Sequence, residues 1–194
     1  MSKFTSNTEC KRYHFNIPSK CNQDRSKRWT IDDNGTKTIV TVVCDGHGKF
    51  GEKYANFTID YLIKNLSSIN FESDDVFKLI NQLIVDLDIK CKKSIGHLDG
   101  GSTLSIIIET KNFNLIVNVG DSEIVLFNSD KYEILSEDHS PDNISEFKRM
   151  IGEKEGIIFE YDKKIKWGYN KYNLYEKVEN EWYKKDPPTS NVYV

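Results

Sequence analysis

The feature that most constrains this chain is the pair Asn34-Gly35, set between two runs rich in β-branched residues, 28–31 and 36–44. An Asn-Gly pair tolerates the positive φ of a tight two-residue turn, so the two runs read as antiparallel strands of one hairpin. The downstream pattern lacks the strand–helix alternation of a parallel sheet. From Glu52 onward Ala55, Ile59, Leu62 and Leu66 recur at helical spacing, and after Ser73 comes a second set: Phe77, Ile80, Ile84, Leu87 and Cys91. Two successive amphipathic helices, 52–66 and 74–93, are predicted. Beyond Gly101 the pattern shortens to β-branched runs at 103–108, 114–119, 123–127 and 132–135, separated by turn-forming residues, which predicts a meander. Ser140 and Pro141 lead into a third helix carrying Phe147, Met150 and Ile151, with proline at its first position, and Gly156 opens an extended run at 157–161. Strands, then two helices, then hairpins predict an α+β layered domain whose antiparallel sheets are flanked by helices.

Size and charge narrow the function classes. With 194 residues the chain is expected to form one domain, 1–194, and to hold one site. Its 27 basic and 30 acidic side chains, net charge -3, argue against an electrostatic nucleic-acid binder. No apolar stretch is long enough for a bilayer, and the polar opening is not a signal peptide. The expected location is cytoplasmic or nuclear, with no membrane partner. Cys10, Cys21, Cys44 and Cys91 lie far apart without a CxxC pair, as reduced thiols rather than a disulfide frame or zinc site. Oligomeric state leaves no mark in the sequence.

The segment richest in chemistry is Val42-Val43-Cys44-Asp45-Gly46-His47-Gly48, where a buried strand delivers a carboxylate onto a glycine-flanked turn. Glycines let the backbone approach an ion closely, and a carboxylate with main-chain carbonyls supplies the hard oxygens that suit Mg²⁺ or Mn²⁺. Taken alone, the segment also reads as an ordinary Asp-Gly turn. A rival reading uses Gly46, Gly48 and Gly51, which form GxGxxG after a strand and before a helix, as in a dinucleotide-binding oxidoreductase. Against it, Asp45 would set negative charge beside a pyrophosphate, and the hairpins downstream replace the βα repeats such a fold requires. A nucleotide P-loop fails because Glu52 stands where lysine is needed. Gly100-Gly101-Ser102-Thr103, Asn118-Val119-Gly120-Asp121-Ser122 and Glu137-Asp138-His139-Ser140-Pro141 are each, singly, turn or cap chemistry.

Their order carries more than any one of them. NQD at 22–24, VCDGHG, GGST, NVGDS, then EDHSP with Glu146 and Arg149 resemble the successive landmarks of the metal-dependent serine/threonine phosphatases of the protein phosphatase 2C (PPM) family. The resemblance runs from about 22 to 156, with DGHG and GDS its specific part, and leaves 163–194 as a divergent tail. It implies a sandwich of two antiparallel sheets flanked by helices, and hydrolysis of phosphoserine or phosphothreonine in a phosphorylated protein substrate by a metal-activated water. It also implies Mn²⁺ or Mg²⁺ as cofactor, two ions in the family. Carried over residue by residue, Asp45 and the carbonyl of Gly46 are implied metal ligands. Asp24 is implied to support the metal through water, and His47 to protonate the leaving alkoxide.

Several positions depart from the family pattern. The arginine that grips the substrate phosphate is expected shortly before Asp24, where the chain reads Pro18-Ser19-Lys20; Lys20 then stands in as a point charge without the bidentate fork. Glu123 comes after GDS in place of arginine, and Glu155-Gly156 replaces a double glycine. The Asp-Gly and Asp-Asn turns that complete the family's metal site find no counterpart in 163–194, where Asp186 precedes two prolines and Glu176, Glu179 and Glu181 read as a solvated face. These departures predict one bound ion at most and impaired turnover, with a catalytically inactive binding module as the alternative function.

Overall fold

The computed structural model describes residues 22–33, 35–96, 98–140, 142–152, 159–161, 169–171, 175–184 and 192–193. They fall into two compact units, Met1–Glu137 and Asp138–Val194.

The first unit is built on the hairpin of β1 (Arg25–Asp33) and β2 (Thr36–Cys44), paired in register from Asp33↔Thr36 to Arg25↔Cys44. Gly35 turns the corner at φ 88, and its N–H donates to Asp32 Oδ1 at 3.0 Å. A two-residue strand β3 (Gly46–His47) leads into helices α1 (Gly51–Leu66) and α2 (Val76–Ile95). The chain returns through β4 (Gly101–Ser102), β5 (Leu104–Glu109), β6 (Asn114–Val119) and the ribbon β7 (Val125–Asn128) with β8 (Lys131–Ile134). Strands from both ends of this unit join one sheet of order β1-β2-β5-β6, antiparallel at every pairing. The α+β fold expected from the sequence is therefore present.

The period-2 alternation of β2 and β5 turns Val40, Val42, Cys44, Leu104, Ile106 and Ile108 toward the helices. They meet Ala55, Ile59, Leu62 and Leu66 of α1 and Ile80, Leu83 and Leu87 of α2 in a single core. Each large side chain buried there contributes about 1.5–3 kcal/mol of transfer free energy. On α2 the expected Ile80, Leu87 and Cys91 are buried, but the stripe shifts by one residue at its other two positions. It buries Val76 and Leu83, whereas Phe77 is 68% exposed and Ile84 packs at the edge, because the helix turns its 76-80-83-87-91 face to the sheet. Thr103, the first residue of the expected strand 103–108, stands outside it, between β4 and β5, for a reason that belongs to the site.

In the second unit, α3 (Ile144–Gly152) begins later than the sequence suggested: the capping residue is Asn143, whose Oδ1 accepts the Ser145 N–H at 3.0 Å. Pro141 lies outside the described residues. Strands β9 (Phe159–Tyr161), β10 (Tyr169–Lys171), β11 (Tyr175–Val178), β12 (Glu181–Lys184) and β13 (Val192–Tyr193) come next, with β9 between β10 and β13 and with β11 paired to β12. The tail, 163–194, thus carries the strands β10 to β13. Phe147 of α3 is 1% exposed and packs edge-on against Trp182 and tilted against Tyr175, with ring centroids 5.4 and 4.8 Å away.

Candidate functional site

The register of the first hairpin makes the site. Because Arg25 pairs with Cys44, the residues just outside that pair, Asp24 and Asp45, emerge side by side at one end of the sheet. Their carboxyl groups come within hydrogen-bonding reach of one another. Burial, then the Asp24 charge and that hydrogen bond, then the Asp121 charge raise the Asp45 pKa above its ordinary value; His47 acts in the opposite sense. Asp121 of the GDS turn acts on Asp45 through its charge.

Asp45 is held from behind by Thr103. Its N–H donates to Thr103 Oγ1 and its carbonyl accepts the Thr103 N–H, both at 3.0 Å. Thr103 Oγ1 also shares a hydrogen bond of 2.7 Å with Ser122 Oγ. Ser105 Oγ lies 2.8 Å from the Ser122 carbonyl and 2.9 Å from Asn118 Oδ1, while the Asn118 amide donates to the carbonyls of Gly120 and Glu137, each at 3.0 Å. The DGHG, GGST and GDS segments, read separately as turn chemistry, are one hydrogen-bonded support for the Asp45 backbone. Thr103 leaves the strand pattern because it serves this turn.

The glycines serve close packing of main chain on main chain. A Cβ on Gly46 would lie 2.6 Å from the Gln23 carbonyl oxygen and 2.7 Å from that of Gly51; one on Gly48 would lie 2.6 Å from Gly100 Cα. Gly101 lies under the His47 ring, where a Cβ would come within 2.8 Å of Nε2. The spacing that reads as GxGxxG is thereby accounted for without a pyrophosphate. With every strand pairing among the described residues antiparallel, the dinucleotide-fold reading is corrected.

His47 is exposed and forms one wall of a cavity of about 500 Å³ with Tyr54, Leu87, Cys91 and Ser102; Asp24 and Asp45 are not in that wall. Lys20 lies outside the described residues. Among the described residues no group of three or more His, Cys, Asp or Glu side chains is arranged to hold a metal ion. The donors present nonetheless suit a hard cation. Two carboxylates in contact require a proton or a cation between them, and Gln23 Oε1, in the same loop, is buried without a hydrogen-bond partner. On α3, the expected landmarks Glu146 and Arg149 pair with each other three residues apart, and the arginine holds the Glu146 pKa below its ordinary value.

Two contributions escaped sequence reasoning. Thr103 was legible as a strand start and as part of the GGST landmark but not as the residue that holds the Asp45 main chain, and Arg25, whose guanidinium spans from the Asp24 loop to α1, carried no motif at all. The one available signal was register: a residue paired with Cys44 must stand next to the Asp45 turn.

The described helices include none long and apolar enough to cross a membrane. A family model described as protein phosphatase 2C matches residues 7–167. Among curated relatives, probable protein phosphatase 2C 55 of Oryza sativa subsp. japonica is 34% identical over 143 residues, covering 72% of this chain and 37% of the relative. Probable protein phosphatase 2C 76 of Arabidopsis thaliana is 28% identical over 137 residues, covering 65% and 32%. The chain thus spans well under half the length of these relatives. Among solved structures, a bacterial serine phosphatase superposes with a TM-score of 0.53 at 22% identity, covering 69% of this chain and 55% of that one. A PPM Ser-Thr phosphatase of Mycobacterium smegmatis, in complex with cacodylate, superposes with a TM-score of 0.51 at 21% identity, covering 69% and 53%. At these identities the structural likeness speaks for the fold, and the sequence match speaks for the lineage: the chain belongs to the protein phosphatase 2C family.

Proposed function

We propose that the Asp24–Asp45 end of the sheet binds a divalent cation, Mn²⁺ or Mg²⁺, and that the chain acts on phosphoserine or phosphothreonine in protein substrates. The observation that carries this reading is the contact between two carboxylates from the ends of a rigid hairpin, beside a buried amide oxygen without a partner. Asp45 and the Gly46 carbonyl would hold the ion, with Asp24 supporting it. A divalent ion bound there supplies Lewis acidity toward a phosphate ester and lowers the pKa of water toward neutrality. The chain's own residues do the rest. Thr103 fixes the Asp45 main chain, so the carboxylate does not have to reorganise when it takes its ligand. His47, exposed beside the turn and close enough for its charge to act on Asp45, would hand a proton to a departing alkoxide. Lys20 is assigned to the substrate phosphate, as a point charge. The proposed setting is cytoplasmic or nuclear, where phosphorylated proteins are met.

The test is calorimetry with Mn²⁺ on the wild type and Asp45→Asn, with phosphate release from a phosphoserine peptide measured next. Cation binding lost in the variant, with release well below about 1 per second, is expected, because two contacting carboxylates neutralise one dication better than two. Release at or above that rate, abolished by Asp45→Asn, would show a complete enzyme. Binding of Mn²⁺ and of phosphopeptide with no release would favour the binding module. Equal Mn²⁺ affinity in both proteins would remove the site from Asp45.

A further inference from the structure

Strand pairing does not by itself hold Asp24. The register of β1 with β2 stops at Arg25↔Cys44, and Asp24 lies one residue beyond it, exposed, with its N–H accepted at 2.8 Å by Asn22 Oδ1 of the same loop. The contact between its carboxylate and Asp45 therefore needs a second anchor. The side chain of Arg25 supplies one. Its Nη1 donates to the Asn22 carbonyl at 3.1 Å and to the Asp24 carbonyl at 2.7 Å, and its Nε donates to Asn56 Oδ1 at 2.7 Å. Its Nη2 lies 3.8 Å from Glu52 Oε2.

Asn56 and Glu52 both belong to α1, whose first residue, Gly51, lies against Gly46 so closely that a Cβ on either would meet the other's backbone. The guanidinium thus joins the loop that carries Asp24 to the helix that abuts the turn carrying Asp45. The Glu52 contact is long and half-exposed and contributes little, in keeping with solvent-exposed ion pairs. The two carbonyls and the Asn56 amide oxygen hold the geometry. A planar fork with five donors can serve them at once; a lysine ammonium cannot.

We propose that Arg25 is the positioning residue of this site, clamping the 22–24 backbone to α1 so that Asp24 stays in contact with Asp45. This rests on the reading of those two carboxylates as the cation site. It differs from a role in gripping substrate phosphate, because the donors of Arg25 are spent on the protein's own backbone and on α1.

The test compares wild type, Arg25→Ala, Arg25→Lys, Asn56→Ala and Asp45→Asn in the full chain. Mn²⁺ affinity is measured by calorimetry, stability by the urea midpoint of the metal-free protein, and local order by hydrogen exchange of the segment beginning at Asn22. Outer-shell partners of metal ligands are worth about 10–100-fold in affinity, so Arg25→Ala should raise the Mn²⁺ Kd by that factor. Arg25→Lys should fail to restore it, and Asn56→Ala should move it the same way by less. The urea midpoints should hardly change, while exchange at 22–24 accelerates in Arg25→Ala. A purely structural role would lower the midpoint and leave the Kd untouched, and either that result or full recovery with lysine would overturn the proposal. If wild type binds no Mn²⁺, or Asp45→Asn binds it equally well, the cation reading itself falls. The exchange data then decide Arg25 alone: acceleration confined to 22–24 supports the clamp, and unchanged exchange removes it.

Discussion

Gly46→Ala isolates the contact on which the site depends. The added Cβ would meet the Gln23 carbonyl oxygen at 2.6 Å, the Gly51 carbonyl oxygen at 2.7 Å and the Gly51 carbonyl carbon at 2.8 Å, whereas ordinary contacts begin at 3.4 Å. The shortfall is up to 0.8 Å against three backbone atoms from two separate segments, none of which can rotate out of the way. Overpacking a tight site costs about 1–3 kcal/mol, and an all-backbone clash belongs at the upper end. Alanine also restricts the unfolded chain, which returns about 0.4–1 kcal/mol where the native φ suits it, and Gly46 is not among the positive-φ residues. A net loss of about 1–2.5 kcal/mol remains. Urea denaturation at constant m-value measures it, with Mn²⁺ calorimetry on the same protein, since any relief moves either the Asp24 loop or α1. Gly51→Ala intrudes on the same gap from the other side, so the double variant should lose less than the two singles added together. A Gly46→Ala protein as stable as wild type, with unchanged Mn²⁺ affinity, would refute the reasoning.

The same geometry fixes other outcomes. Thr103→Val keeps the shape but strips the acceptor from the Asp45 N–H and the partner from Ser122, so it should cost about 1–3 kcal/mol in urea denaturation. Leu62→Ala, at a fully buried position of α1, should cost about 2–5 kcal/mol by the same assay. Phe147→Ala should destabilise its unit by about 3–5 kcal/mol, read as the loss of exchange protection in 142–152 and 175–184. Burial pushes the Cys44 thiol up to about 12, the Ser102 hydrogen bond opposing only in part, so in the folded protein it should resist alkylation at pH 8 and react once urea unfolds the chain, as peptide mapping would show. The stability it lends is whole below the unfolded thiol value of 9.0 and is lost as pH rises toward 12.

The fold was legible where local chemistry and tertiary need agree. Gly35 turns the hairpin at positive φ, and strand β2 appears over the expected residues because alternation, β-branching and turn chemistry all point one way; Asn34 lies outside the described residues. The helices were legible as helices, and Ile80, Leu87 and Cys91 as buried positions of α2, but the contact made by its first turn was not. Phe77 is the largest apolar residue of its first turn and stands 68% exposed, because the sheet accepts the neighbouring stripe. Periodicity fixes an angle only to within about one residue of a 3.6-residue turn, and the opposing surface chooses within that range. The second unit was the least legible. Its core joins Phe147 to Tyr175 and Trp182 across more than 25 positions, a pairing no local pattern announces.

At the site, the residues proposed to touch an ion stand in a local motif, and those that aim them do not. Asp45 and Gly46 sit on a strand end trailed by glycines, a local arrangement that sequence displays directly. What brings Asp24 to Asp45 is pairing between β1 and β2, and what keeps it there is a guanidinium shared among Asn22, Asp24 and Asn56, residues from two elements. Such a contact has no spacing rule, because the distance between a loop and a helix depends on the core beneath both. The glycines show the converse. Gly46, Gly48 and Gly51 share the spacing of a dinucleotide loop, yet in this chain they let the Asp24 loop, the Asp45 turn, the start of α1 and Gly100 come within van der Waals range. Glycine spacing reports that backbones approach closely. Whether the approach is to a phosphate or to more protein is decided by the next elements, and here an antiparallel return through β4 and β5 fills the space with Thr103 and Gly100.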